Sequence, residues 1–158
     1  MSASPSLRTA AKCEARAESF QETAVRLESL EDEWAAVCYF YAAYHLVKAA
    51  FIRDPVFDSL KALASIDGRL TMEDRFIERH QGRMSGRTRT LGVNDLVTML
   101  YPKVSVAYRR MHMASINVRY GEGLRTIKLD SVLSDFATVR RAHESGALVS
   151  PSPPGTAE

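Results

Sequence analysis

The sequence predicts an all-α protein, an antiparallel bundle of four to five helices around a central apolar helix at residues 34–52. Three observations support this fold class. The run from Trp34 to Ile52 is apolar apart from His45 and Lys48, which is typical of a helix enclosed by other helices. On both sides of this run, apolar residues recur at steps of three and four. No stretch alternates apolar and polar residues as a half-buried strand does.

Length and composition predict one globular domain. The chain has 158 residues, of which 46% are hydrophobic and 25% are charged. We predict a flexible N-terminus at 1–6, a single helical domain at 7–143, and a disordered tail rich in Pro, Ser and Gly at 144–158. With two cysteines and no Cys-His ligand spacing, the sequence indicates neither a disulfide framework nor a metal site, and we expect no cofactor.

The central run is also long enough to cross a bilayer, which is the competing interpretation. Ionisable residues lie well inside it, and no cluster of Lys or Arg flanks either end. The N-terminus has no apolar segment followed by a cleavage site. We therefore expect a cytoplasmic protein that does not associate with membranes.

An amphipathic helix precedes the central one. Between residues 7 and 30, apolar residues recur at helical spacing with charged residues between them. Three carboxylates at 31–33 stand before the central helix, where the helix dipole favours negative charge. The two helices are therefore expected to form an antiparallel hairpin.

Shorter elements follow the central helix. An aspartate and a proline begin a short helix that ends at Ile66. The capping pattern Thr71–Asp74 predicts a second short helix that runs toward His80. Residues 81–93 form a basic, glycine-containing loop that we expect to be mobile.

A second long helical segment spans residues 95–120. Pro102 lies within it, which predicts either a kink or a short lead helix before a main helix that begins at the proline. Gly121 and Gly123 end this segment. A last helix is predicted at 131–143 from its apolar spacing.

Charge is unevenly distributed along the chain. Residues 72–128 hold 11 basic and 5 acidic groups, whereas the net charge of the whole protein is only +2. A local basic surface suits a polyanion or an acidic partner, and it is equally consistent with a solvated face.

Polar residues form one stripe on the central helix and another on the second long helix. If the two stripes face each other, they make a cleft suited to phosphate and base recognition. The alternative is that each residue is a hydrogen-bonded polar group of the interior. The candidate cleft residues are Tyr41, His45, Lys48, Tyr108 and His112.

Arg75 and His80 form a second constellation. His80 can exchange a proton near neutral pH, and arginines are bidentate donors to phosphate. A histidine that moves the 2′-hydroxyl proton and an arginine that stabilises the phosphorane-like transition state suffice for metal-independent RNA cleavage. A solvated basic loop is the alternative. The candidate phosphate-binding residues are Arg79, Arg83, Arg87, Arg89 and Arg119.

Three stretches together resemble the HEPN domains of bacteria. They are FYAAYHLVKAAF, the later segment with His80, and LYPKVSVAYRRMHMASINVRYG. The resemblance covers roughly residues 15–140 and implies a helical bundle, frequent homodimers and, in some branches, an endoribonuclease or toxin of defence and toxin-antitoxin systems. The family motif is Arg, four to six residues, then His, which Arg75 and His80 match. The family's Tyr, Ser and Arg-Tyr correspond to Tyr108, Ser115, Arg119 and Tyr120.

Three functions remain open on the sequence. The first is a HEPN-like domain that binds RNA or nucleotide, with or without RNA cleavage by Arg75 and His80. The second is a non-catalytic helical interaction module that dimerises or docks on a protein partner, such as an antitoxin. The third is another helical-bundle enzyme or ligand binder that uses the tyrosine and histidine cleft.

Overall fold

The computed structural model describes residues 7–151, in which helices form a bundle and a small hairpin projects between the third and fourth of them. The predicted flexible segment 1–6 lies outside the described residues. The α-helices are α1 (Ala10–Ser29), α2 (Ala35–Arg53), α3 (Leu60–Ile66), α4 (Val93–Leu100), α5 (Pro102–Tyr120) and α6 (Leu129–Glu144). Two 3₁₀ turns, Pro55–Asp58 and Met72–Phe76, and two strands, β1 (Met84–Ser85) and β2 (Thr88–Arg89), complete the elements.

Helix α2 is the centre of the bundle, as predicted, and its bounds agree with the predicted range to within one residue at each end. It packs against α1, α5 and α6, and almost every side chain from Ala35 to Phe51 is buried. Its length and composition would suffice to span a membrane, and 83% of the apolar window is buried inside the protein. The predicted all-α class is confirmed.

Helix α1 lies along α2 through small side chains. Cys13, Ala17 and Ala24 are buried in the contact, so the two helix backbones approach closely. The hydroxyl of Thr9 accepts a hydrogen bond from the Lys12 amide at 3.2 Å and caps the helix. The predicted helical hairpin is confirmed.

Pro102 separates two helices rather than kinking one. It occupies the first turn of α5, where its missing N–H costs no helical hydrogen bond. Helix α4 precedes it, which confirms the alternative of a lead helix. Helices α5 and α6 then pack on each other and on α2.

The basic loop predicted at 81–93 contains a β-hairpin, so its backbone is not irregular throughout, and its mobility stays a prediction. Met84 pairs with Arg89 and Ser85 with Thr88 in antiparallel register. Gly86 takes the first loop position with a φ of 61°, a left-handed conformation that glycine adopts without strain. Strands of two residues are too short to show alternation, which is why the sequence did not predict them.

Two further boundaries differ from the prediction. The element that begins at Met72 is a single 3₁₀ turn that ends at Phe76, so His80 does not lie on a helix. The disordered tail predicted from residue 144 is wrong through Pro151. Leu148 is buried, and the Ser150 amide donates to the buried carboxylate of Asp54 at 2.8 Å. Residues 152–158 lie outside the described part of the chain.

Candidate functional site

His80 lies in an extended segment that crosses the faces of α2 and α5. Its ring centroid is 4.8 Å from that of Tyr44, 5.3 Å from Phe40 and 5.2 Å from His112. The two constellations that the sequence suggested separately, the His80 segment and the polar stripes of the long helices, therefore meet at one place.

The first turn of α4 fixes the backbone of this segment. The amide of Asn94 donates to the His80 carbonyl at 3.0 Å, and that of Val93 donates to the Arg79 carbonyl at 2.8 Å. These are amides that a helix N-terminus leaves without helical partners. The same interaction therefore completes α4 and orients His80.

Two glycines allow the segment to lie against the start of α4. A Cβ atom at Gly92 would overlap the backbone of His80 and Gln81, and one at Gly82 would overlap the carbonyl of Thr90. The side chain of Arg79 adds a further tie, because its Nε donates to the Leu91 carbonyl at 2.6 Å. The two glycines are therefore required for this close approach of the backbones.

His112 is held in one tautomer. The Asn94 side-chain amide lies 2.8 Å from its Nδ1, and since an amide nitrogen can only donate, Nδ1 accepts and the proton resides on Nε2. Burial lowers the pKa of His112 to about 4, with the nearby His80 and Arg119 adding to the effect. His112 is therefore a neutral imidazole at pH 7.

His80 is also expected to be neutral. Burial lowers its pKa below the ordinary value, and the positive charges of Arg119 and Lys48 lower it further. Its Nδ1 is buried with no hydrogen-bond partner in the described residues, so Nε2 is the nitrogen available to a ligand. A neutral imidazole of this kind can accept a proton.

Arg119 stands beside His80 between two tyrosines. Its Nη1 donates to the Tyr41 hydroxyl at 3.0 Å, and its guanidinium carbon lies 5.6 Å from the Tyr41 ring and 5.0 Å from the Tyr120 ring. These contacts hold a planar donor group at a fixed place, as bidentate phosphate recognition requires.

These side chains line an open groove of about 550 Å³. None of the described residues that line it is acidic, and three are arginines. The volume lies within the range of small-ligand sites. The lining residues are Arg79, His80, Gln81, Gly82, Arg83, His112, Ile116, Arg119 and Tyr120.

The predicted cleft is largely filled by protein rather than open. Tyr108 is completely buried, and His45 and Lys48 are only 8% and 3% exposed. His45 stacks on Phe20 with centroids 5.6 Å apart, and burial lowers its pKa to about 4. Of the five predicted cleft residues, His112 lines the groove, Tyr41 supports Arg119, and the other three belong to the core.

Arg75 lies apart from His80, contrary to what the spacing suggested. Its guanidinium donates to the Asp58 carboxylate at 2.7 Å and to the carbonyls of Ile52 and Asp54 at 2.9 and 3.1 Å. The two carbonyls lie at the end of α2 and Asp58 lies in the following 3₁₀ turn, whereas His80 contacts Tyr44 about 12 Å further back along the helix axis. Arg75 therefore ties the 3₁₀ turns to α2.

The remaining arginines divide between the groove and the hairpin. Arg79 and Arg83 line the groove with Arg119. Arg89 faces Asp95 at 3.6 Å, and Arg87 is exposed in the hairpin loop. Asn94, which positions His112, was not among the predicted site residues, because the sequence shows it only as part of a helix start.

Comparisons with known proteins found no match. No family model matches the chain, and neither a curated protein nor a solved structure is significantly similar to it. The class defined by the fold and the groove is thus a helical bundle with a basic, histidine-containing surface site.

Proposed function

We propose that the groove binds a phosphate group of RNA and that His80 acts as a general base in metal-independent RNA cleavage. One observation carries this proposal. A neutral imidazole with a lowered pKa lies in the same groove as Arg79, Arg83 and Arg119, next to a second neutral imidazole. A lowered histidine pKa and convergent cations in a concave site are typical of catalytic centres.

The chemistry follows from these groups. Nε2 of His80 takes the proton of a ribose 2′-hydroxyl, and the 2′-oxygen forms a bond to the adjacent phosphorus while the bond from phosphorus to the 5′-oxygen breaks. The departing oxygen takes a proton from solvent, so the products are a 2′,3′-cyclic phosphate and a 5′-hydroxyl. The arginines stabilise the extra negative charge on the phosphoryl oxygens.

The resemblance to HEPN domains supports the same function with one change of residue. The family motif would assign the catalytic arginine to Arg75, whereas we assign the phosphate-binding role to Arg119 with Arg79 and Arg83. A HEPN-like arrangement, a cytoplasmic location, and a role in defence or in a toxin-antitoxin pair with a protein partner remain part of this proposal.

The test is cleavage of a mixed RNA pool in excess chelator by the parent and by His80→Ala. We expect the parent to produce cyclic-phosphate ends and His80→Ala to lose at least about two orders of magnitude in rate. His143→Ala, on α6 and outside the groove, is the matched control and should retain full activity. Cleavage that survives in His80→Ala, or that requires a divalent metal, would exclude the proposed mechanism.

A second candidate is a non-catalytic interaction module, in the first instance a homodimer. Val106, Met113 and Tyr120 recur every seven residues on α5 and are 63%, 55% and 78% exposed. Such a stripe is the pattern by which two helices pack side by side.

Sedimentation distinguishes this candidate. If the stripe is a dimer interface, Met113→Asp should convert a dimeric parent to a monomer, while Leu60→Asp, at an equally exposed apolar residue of α3, should not. A monomeric parent at micromolar concentration excludes the homodimer.

A further inference from the structure

We propose that Tyr120 is a stacking platform for one unpaired nucleobase, so that the groove takes single-stranded RNA. This inference rests on the proposed function, because it adds a base site to the phosphate site at Arg119. Neither the Arg-to-His spacing motif nor the proposed cleavage chemistry requires Tyr120.

The two tyrosines beside Arg119 differ in their exposure. The Tyr41 ring packs inward, with its centroid 5.4 Å from that of Phe20 and 5.3 Å from that of Phe40. The Tyr120 ring lies at a similar distance from the same guanidinium but is 78% exposed. Tyr41 therefore supports Arg119 from inside the protein, and Tyr120 presents an open aromatic face beside Arg119.

Tyr120 lies where the backbone is held by hydrogen bonds on both sides. It is the last residue of α5, and the chain beyond it is held back against the helix, since the amides of Gly121 and Gly123 both donate to the Asn117 carbonyl. The Leu124 amide donates to the Glu33 carboxylate at 3.1 Å, which fixes the following loop to the start of α2. The backbone that carries the Tyr120 ring is therefore ordered before a base binds, which lowers the entropic cost of binding.

The groove combines an aromatic ring with several cations. Tyr120 and the apolar side chain of Ile116 line it together with the three arginines and His80. Aromatic rings interleaved with cations are the pattern of single-strand binding, in which the cations contact phosphates and bases stack on the rings. A base inside a duplex has both faces covered by its neighbours, so it cannot stack on the Tyr120 ring.

The experiment measures binding of a labelled single strand of alternating adenosine and cytidine, about 12 nucleotides long, by fluorescence anisotropy. The RNA is 2′-O-methylated, so that no 2′-hydroxyl is available for cleavage. A strand with the same backbone but without bases, and the duplex with the complementary strand, are the comparison probes. Parent, Tyr120→Leu, Tyr120→Phe and Arg119→Ala are each tested at low and at moderate salt.

We expect the parent to bind the strand with bases roughly 10- to 100-fold more tightly than the strand without bases or the duplex, which is the usual contribution of one stacked base. Tyr120→Leu should abolish this difference and Tyr120→Phe should retain it. Arg119→Ala should weaken the binding of all three probes, because it removes a phosphate contact.

Other outcomes overturn the inference in distinguishable ways. If the parent binds both single strands equally, the phosphate site stands and the stacking platform does not. If Tyr120→Leu weakens every probe equally and also dissociates a dimer in sedimentation, Tyr120 is a protein contact and the inference is wrong. If the parent binds none of the probes at low salt, the proposed function and the inference both fail.

Discussion

At the scale of single residues, the site depends on groups that act on His80 through space. Arg119, Tyr44 and His112 set its charge environment and its orientation, yet they lie 32 or more residues away in sequence. Arg75, its neighbour in sequence, contributes instead to the stability of the fold. Proximity in sequence and proximity in space therefore point to different arginines.

Arg75 is expected to stabilise the fold without contributing to RNA binding. Replacement by Ala removes its hydrogen bonds to the Asp58 carboxylate and to two part-buried carbonyls at the end of α2. We expect the free energy of unfolding to fall by about 2 kcal/mol, as measured by urea denaturation. RNA binding and cleavage below the melting temperature should remain unchanged.

Arg119→Ala is the matched arginine variant for that prediction. It should lower RNA binding and leave stability nearly intact, because the Arg119 guanidinium donates only to the Tyr41 hydroxyl and, at 3.4 Å, to the Ser115 carbonyl of its own helix among the described residues. If Arg75→Ala lost activity at full stability instead, Arg75 would be the functional arginine that the motif suggests.

At the scale of elements, the segment from Ile77 to Gly82 owes its shape to what it packs against. Its own sequence offers a capping pattern and then a glycine, which predicted helix up to His80. The 3₁₀ turn ends at Phe76. Beyond it, the carbonyls of Arg79 and His80 accept hydrogen bonds from the first amides of α4, whereas in a continued helix they would accept from amides of that same helix. Tertiary partners here decide the local conformation.

The second prediction tests this packing. Gly82→Ala places a methyl group on the Thr90 carbonyl, which cannot move without opening the hairpin. We expect a loss of about 2 kcal/mol in the free energy of unfolding or a displaced His80 segment with weaker RNA binding. Thermal unfolding and anisotropy measure the two effects.

Gly68→Ala serves as the glycine control. A Cβ atom at Gly68 would meet nothing within 4 Å, so its stability should stay the same or rise by up to about 1 kcal/mol through a less flexible unfolded chain. If Gly82→Ala and Gly68→Ala had the same stability and the same RNA binding, the close approach at Gly82 would not be what positions His80.

The long helices were predictable because their signals are local. The bounds of α1, α2 and α6 were predicted to within a few residues from apolar spacing and from the carboxylates and prolines at helix ends. Pro102 predicted the start of α5. The hairpin was missed because its strands are too short to show a period. The residues of the groove were proposed in two separate groups, since only the packing of the His80 segment across α2 and α5 brings them together.

At the scale of the whole molecule, the bundle buries imidazoles in its interior. His45 and His112 are almost fully enclosed, and burial lowers the pKa of each to about 4. An unfolded histidine has a pKa near 6.5, so the unfolded chain binds more protons than the folded one between about pH 4 and 6.5. Stability must then rise with pH across this interval and fall on acidification.

The third prediction is therefore a loss of stability on going from pH 7 to pH 5, of about 2 kcal/mol for each of the two histidines. Urea denaturation at several pH values measures it. His45→Gln should remove the part of the pH dependence that His45 contributes, whatever its effect on absolute stability, because glutamine does not titrate. The parts contributed by His112 and by His80, whose pKa burial also lowers, should remain. A pH dependence unchanged in His45→Gln would mean that the pKa of this imidazole is the same in the folded and the unfolded chain, so that burial does not lower it.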